Sequence, residues 1–291
     1  MSEYRISNDQ IEIKVNSMGA ELVSLQDIKT GLEYMWDGNP KFWKRTSPVL
    51  FPIVGSLNKQ SYQMKGKRYN MSQHGFARDM EFVVTKKDKQ EIWFSLTANE
   101  DTLKNYPFLF SLEIGYQLKE RSVFVIWKVT NLDNKEMYFS IGGHPAFQGP
   151  IDKDRAQTDY FLSFDTKDEI KSNIIGAEGL ATNQYLTIPL ENGILPITET
   201  LFDQDALVIE HHQVQKIALL DTNKKPYLTV RFDAPLVGVW SPPKKNAPFI
   251  CIEPWYGRCD SAGFEGDFDE RVWGNSLKSD EVFEKNYQIE V

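Results

Sequence analysis

Apolar residues recur at every second position along most of this chain, and that period commits it to strands rather than helices. In IEIKV (11–15) it places Ile11, Ile13 and Val15 on one face and Glu12 and Lys14 on the other. The stretch FLFSLEIGYQLKERSVFVIWKVTNL (108–132) reads as two long strands folded back on each other at KERS, an antiparallel hairpin. EIWFSLTA, EMYFSIGG, DALVIEHHQVQKIALLD, PYLTVRFD, LVGVWSP and FICIEPW extend the theme. DTNKKP, ENG and DAP punctuate it as turns. Helical expectations are short, NEDTLKNY (99–106) and SDEVFEKN (279–286). No alternation of strands with helices calls for a parallel sheet, and no internal repeat is visible. The expected fold is all-β, a large antiparallel β-sandwich formed as one domain over residues 1–291.

A chain of 291 residues with 41% hydrophobic content can bury a large core. Its formal net charge of −8 leaves no basic surplus to neutralise phosphates, which argues against a nucleic-acid partner. The KKDK run (86–89) reads as a solvated loop. The first residues lack an apolar signal segment, and no run approaches the roughly 18 apolar residues of a membrane span. Two cysteines, Cys251 and Cys259, make neither a secreted-type framework nor a zinc-ligand spacing, although a single bridge between them stays open. The expectation is a cytoplasmic globular protein without membrane contact; the pattern sets no oligomeric state.

No dinucleotide fingerprint, phosphate loop, zincin helix or nucleophile elbow occurs. Four places instead set polar residues among apolar residues or glycines. In SIGGHPAFQGP (140–150), two glycines precede His144 and Pro145 follows it. Glycine freedom followed by a fixed proline φ could aim an imidazole, or could simply end a strand. WKRTSPVLFPIVGSL (43–57) carries Arg45 before a proline-punctuated apolar run. QHGFARD (73–79) sets His74 and Arg78 about Gly75. Either arginine could serve a surface ion pair, Arg78 with Asp79 or Glu81, and His74 could satisfy a turn. The last place is FICIEPWYGRCD (249–260). There Glu253 is a carboxylate among Ile250, Cys251, Ile252 and Trp255, so it must be paired, solvated at a cleft or raised in pKa. Trp255 and Tyr256 offer an apolar platform for a sugar face, or close a core. His211 and His212 lie on an expected strand with side chains on opposite faces, in structural or solvent roles.

Taken in order, HGFAR, GGHPAF and IEPWYG resemble the aldose 1-epimerase (galactose mutarotase) family. The likeness is strongest to its bacterial branch associated with lactose and tagatose operons, and it covers nearly the whole chain. It implies a large antiparallel β-sandwich with a sugar cleft on one sheet face. It also implies roles: His144 as general acid, Glu253 as general base, His74 as a substrate-contacting histidine near the ring oxygen, and Asp205 in LFDQDALVI as a hydroxyl-binding aspartate. Arg45 and Arg78 match arginines that hold phosphate in the eukaryotic hexose-6-phosphate branch. Where galactose mutarotases proper carry a longer asparagine–arginine motif, this chain has WKRTSPVLFP, so free galactose does not carry over as the preferred substrate.

The implied chemistry needs only proton transfers. A base takes the anomeric hydroxyl proton, an acid protonates the ring oxygen, the open aldehyde rotates, and the steps reverse. Neither a cofactor nor a metal is required, and the partner is a small sugar or sugar phosphate. His144 must then hold a proton near neutral pH, with Glu253 facing it across the sugar and raising its pKa. Three rivals differ in class. A metal-dependent oxygenase would cluster histidines as H-x-H, which is absent. A glycosidase needs two opposed carboxylates, and only Glu253 is convincingly placed. A sugar-binding regulatory module would keep the cleft without needing both His144 and Glu253.

Overall fold

The computed structural model describes residues 2–176 and 178–291. Its strands form two large sheets in which every pairing is antiparallel. The hairpin is as expected: Phe110–Lys119 and Ser122–Asn131 pair along their lengths around Glu120 and Arg121. They lie in a nine-stranded sheet that also holds Glu91–Thr97, Val282–Glu290 and Pro226–Phe232. The second, eight-stranded sheet runs Ala181–Pro189, Glu169–Ile175, Leu207–Ile209, Leu236–Trp240, Phe249–Tyr256, Ile141–Gly143, Val49–Leu50, with Ala146–Gln148 added against Phe249–Tyr256. A three-stranded sheet, Glu3–Ser7, Ile11–Asn16 and Glu21–Asp27, docks beside them. The Tyr116 hydroxyl donates 2.7 Å to the Ala20 carbonyl and ties the two units.

The large sheets pack face to face, a β-sandwich. Phe51, which follows Val49–Leu50 of one, lies 5.1 Å, ring to ring, from Phe110 of the other, and Trp127 meets Tyr256 edge-on at 6.3 Å. One buried apolar cluster runs from Ile6 to Ile289. Ser122–Asn131 alternates buried and half-buried positions as a sheet face should, but Phe249–Tyr256 is buried at all eight. Its inner face meets the core, and its outer face forms the floor of a cleft. No helix among the described residues is long and apolar enough to cross a membrane.

Two local expectations fail, each because tertiary pairing overrides local preference. Residues 279–286 are no helix. Val282–Glu290 is a strand paired on both sides, with Ser122–Asn131 and Pro226–Phe232, and it buries Tyr287 and Ile289. The Glu100–Asn105 helix does form, with Asn99 accepting from the Asp101 and Thr102 N–H groups at its start. DALVIEHHQVQKIALLD is likewise not one strand. Leu207–Ile209 belongs to the eight-stranded sheet and Lys216–Leu220 to the nine-stranded one, so the chain changes layers between them. His211 and His212 make that crossing in left-handed conformation, φ 66° and 51°, and the His211 ring packs edge-on against Trp273. Cys251 and Cys259 are both free thiols, so the open question of a bridge closes against it.

Candidate active site

The cleft opens over Leu236–Trp240, Phe249–Tyr256 and Ile141–Gly143, with a volume of about 320 Å³. That is the size of a small-ligand site. On Phe249–Tyr256, Glu253 stands opposite Gly238 and Trp255 stands opposite Gly142 and Leu236. A Cβ on Gly238 would come within 2.5 Å of the Trp255 ring, and one on Gly142 within 2.6 Å. The glycines before His144 are therefore there for room. Neither Gly142 nor Gly143 has a left-handed φ; both are ordinary strand residues under large aromatics, Gly143 against Tyr287 and Trp127. Room for the indole, and not the glycine φ freedom expected from the sequence, is what this turn needs from Gly142.

His144 leaves the end of that strand. Its N–H donates to Pro48 O at 3.1 Å, and the Ala146 N–H donates to Thr46 O at 2.8 Å. The turn is thus clamped to the 46–48 segment. Trp43 stacks on the imidazole at 4.6 Å, and Trp240 and His74 meet it edge-on. Nε2 lies 3.4 Å from Glu253 Oε2, with His144 7% and Glu253 1% exposed. The two groups are neighbours and do not face each other across a sugar-sized gap.

Their protonation is the reverse of the expected one. Burial pushes the Glu253 carboxyl well above the usual carboxylate range, and the charge of Asp205 adds to the effect. Burial pulls His144 down to about 3, outweighing a backbone hydrogen bond that favours the cation, and the charges of Arg78 and Arg45 lower it further. Both shifts favour the uncharged forms, a protonated Glu253 carboxyl and a neutral His144 imidazole. An ordinary histidine general acid would lose kcat/KM as pH rises through about 6.5, its unperturbed value. Here kcat/KM should show no step from His144 near 6.5, because His144 takes up no proton until about 3. An NMR titration of the His144 imidazole with a midpoint near 6.5 would contradict this assignment.

His74 is held in one tautomer. The Gly55 N–H donates to Nδ1 at 3.1 Å, so Nε2 carries the proton and is the donor. Burial, then the nearby His144, Arg78 and Arg45, holds its pKa well below the usual histidine range. His74 and Gly75 are both left-handed, φ 66° and 70°. A Cβ on Gly75 would sit 2.2 Å from Phe51 O, so only glycine lets this loop close onto the 51–52 backbone.

Asp205, also left-handed, fixes Oδ1 on the Ala206 N–H at 2.8 Å and lines the cleft. Arg78 lines it too. Its Nη2 donates 2.7 Å to Gln73 O, while its buried Nε has no hydrogen-bond partner among the described residues. Arg45 stands outside the lining. Its Nη2 donates to both Asp79 oxygens, at 2.8 and 3.2 Å, and Arg78 Nε lies 3.8 Å from the same carboxylate. One aspartate therefore serves both arginines.

Sequence reasoning missed Trp43, Gln73, Trp240 and Arg258, which complete the walls. The tryptophans end apolar runs and look like core. Arg258 carried a better signal, since it and Glu210 are opposite charges that each close an apolar strand. Arg258 Nε donates 2.6 Å to Glu210 Oε1, and the Tyr185 hydroxyl donates 2.6 Å to Oε2. Arg258 and Glu210 are buried, 6% and 1% exposed.

Residues 2–266 match the family model described as Aldose 1-epimerase. The chain belongs to the aldose 1-epimerase family. It is 30% identical over 298 residues to Protein LacX, chromosomal, of Lactococcus lactis subsp. lactis, covering 98% of each. Among solved structures it resembles a galactose mutarotase related enzyme from Lactobacillus acidophilus, with TM-score 0.94 and 33% identity over 99% of this chain and 97% of that one. A galactose mutarotase-like protein from Lactobacillus casei gives TM-score 0.93 and 32% identity over 99% of both. The aldose 1-epimerase sandwich expected from HGFAR, GGHPAF and IEPWYG is thus the fold present.

Proposed function

We propose that this protein interconverts the α and β anomers of a neutral aldose by acid–base opening and closure of the ring. The observation that carries the reading is the buried His144–Glu253 contact of 3.4 Å at the floor of a sugar-sized cleft, in a chain of this family. The anomeric and ring oxygens are both bonded to C1, so two adjacent groups on one wall can serve both. As the sugar binds, the proton that burial favours on Glu253 passes to His144 Nε2, 3.4 Å away, and Glu253 as carboxylate then takes the anomeric hydroxyl proton. His144 as imidazolium gives its proton to the ring oxygen, and the bond from C1 to that oxygen breaks. The open aldehyde then rotates about its bond to C2, and the reverse transfers close the ring on the other face.

After ring opening the pair is protonated Glu253 and neutral His144. That is the distribution burial already favours in the free protein. Burial therefore favours the pair's state in the intermediate over the charged pair that begins the step, so the proton moves downhill as the ring opens. His74 Nε2–H and Asp205 supply a donor and an acceptor for sugar hydroxyls, and Trp255 the apolar floor. A cytoplasmic location belongs to the same proposal and is supported by the two free thiols.

Asp79 engages Arg45 and Arg78 together, which is why the neutral sugar is preferred over a 6-phosphate. Fresh α-glucose and α-galactose should relax faster in polarimetry than their 6-phosphates at equal enzyme, by kcat/KM. Arg45→Ala with Arg78→Ala should not change that ranking. A phosphate preference that vanishes in the double variant would instead assign the arginines to phosphate. Because both proton transfers use side chains, exhaustive EDTA treatment should not lower the rate. A loss restored by added divalent ion would contradict the mechanism.

A further inference from the structure

Cys251 lies beside the proton-transfer pair and has no part in the reaction. It and Glu253 are alternate residues of one strand, so their side chains emerge on the same face. That strand is fixed on both flanks: Cys251 stands opposite Trp240 on one side and Ala146 on the other. The ligand-capable atoms of His144, Cys251 and Glu253 all lie within 4.8 Å of one another, and all three residues are buried. We propose that these three side chains form a site for a thiophilic divalent ion of the Zn²⁺ class, and that the ion and the sugar exclude one another.

The donor set is an imidazole nitrogen, a thiol sulfur and a carboxylate oxygen, which are the types zinc takes at roughly 2.0–2.3 Å. Tetrahedral bonds of that length put neighbouring ligand atoms roughly 3.4 Å apart. The His144 Nε2 to Glu253 Oε2 separation is 3.4 Å, so one edge of the tetrahedron already exists. Glu253 Oε2 is buried without a hydrogen-bond partner among the described residues, as an unused ligand atom would be. The cleft supplies an open fourth position for water. Binding sends the Cys251 thiol proton and the Glu253 proton to solvent, and nothing is oxidised or reduced. His144 Nδ1 has no hydrogen-bond partner among the described residues to brace it, and such a missing outer contact typically lowers metal affinity about 10–100-fold. The site therefore suits reversible occupation and not a permanent structural metal.

The exclusion half of this inference rests on the mutarotase reading; the metal site does not. Co²⁺ added to EDTA-stripped, dialysed protein should give a near-ultraviolet thiolate charge-transfer band and visible tetrahedral bands, both removed by Zn²⁺. Cys251→Ser should abolish the charge-transfer band, and Cys259→Ser should keep it. His144→Ala should weaken Co²⁺ binding at least about tenfold, because losing a ligand costs no less than losing its outer contact would. In turnover, Zn²⁺ should inhibit competitively with the aldose and be reversed by EDTA. Cys251→Ser and Cys251→Ala should need at least about tenfold more Zn²⁺, each measured against its own metal-free rate. Wild-type protein without a thiolate band, or a band that survives Cys251→Ser, overturns the site whatever the activity. A band in protein that anomerises no sugar keeps the site and removes the mutarotase reading.

Discussion

His144→Ala and Glu253→Gln each lower anomer interconversion at least about a hundredfold, because each removes one of the two proton-transfer partners. Glu253→Gln keeps the shape of a side chain that is 1% exposed, so the fold should survive and the loss should appear in kcat. The two changes should not be additive, since acid and base act in one step. His211→Ala gives the reference: His211 packs on Trp273 in the layer crossing and does not line the cleft, so its rate should stay near wild type. Polarimetry on a fresh single anomer reads all three. A Glu253→Gln protein within a few-fold of wild type would remove Glu253 from the chemistry.

The second large effect concerns stability. Glu210→Ala leaves the Arg258 guanidinium buried and unpaired, and breaking a buried pair on one side typically costs about 3–5 kcal/mol. It also strips the Tyr185 hydroxyl of its acceptor. For a chain of this size such a loss lowers Tm by on the order of 10 °C. Replacing both partners with apolar residues, Glu210→Leu with Arg258→Met, should recover most of the difference, since no charge is then stranded. Urea titration with an unchanged m-value tests the single variant. A loss under about 1 kcal/mol would mean that water reaches the pair.

Much of the architecture could be read from alternation alone. Ile11, Ile13 and Val15, and the 108–132 hairpin, carry a period that only a half-buried sheet face satisfies. Glu253 stood out for the same reason, as a carboxylate in a strand otherwise committed to burial. What escaped depends on long-range neighbours. The 282–290 segment has helix-compatible residues, and only its two flanking strands make it extended. The layer change at His211 and His212 carries no local mark, because the apolar pattern resumes after it. The purpose of Gly142 lies in an indole more than a hundred residues away. Where the proton of the pair sits is equally non-local, since it follows from how completely the surrounding aromatics exclude water.

The most direct measurement is saturation-transfer NMR between the anomeric protons of free glucose and galactose at neutral pH in EDTA, with wild type and Glu253→Gln run side by side. The account predicts exchange well above the uncatalysed rate with wild type on at least one sugar, and exchange at least about a hundredfold slower with the variant. Exchange at the uncatalysed rate with wild type on both sugars and their 6-phosphates, or equal catalysed exchange with both proteins, would contradict it.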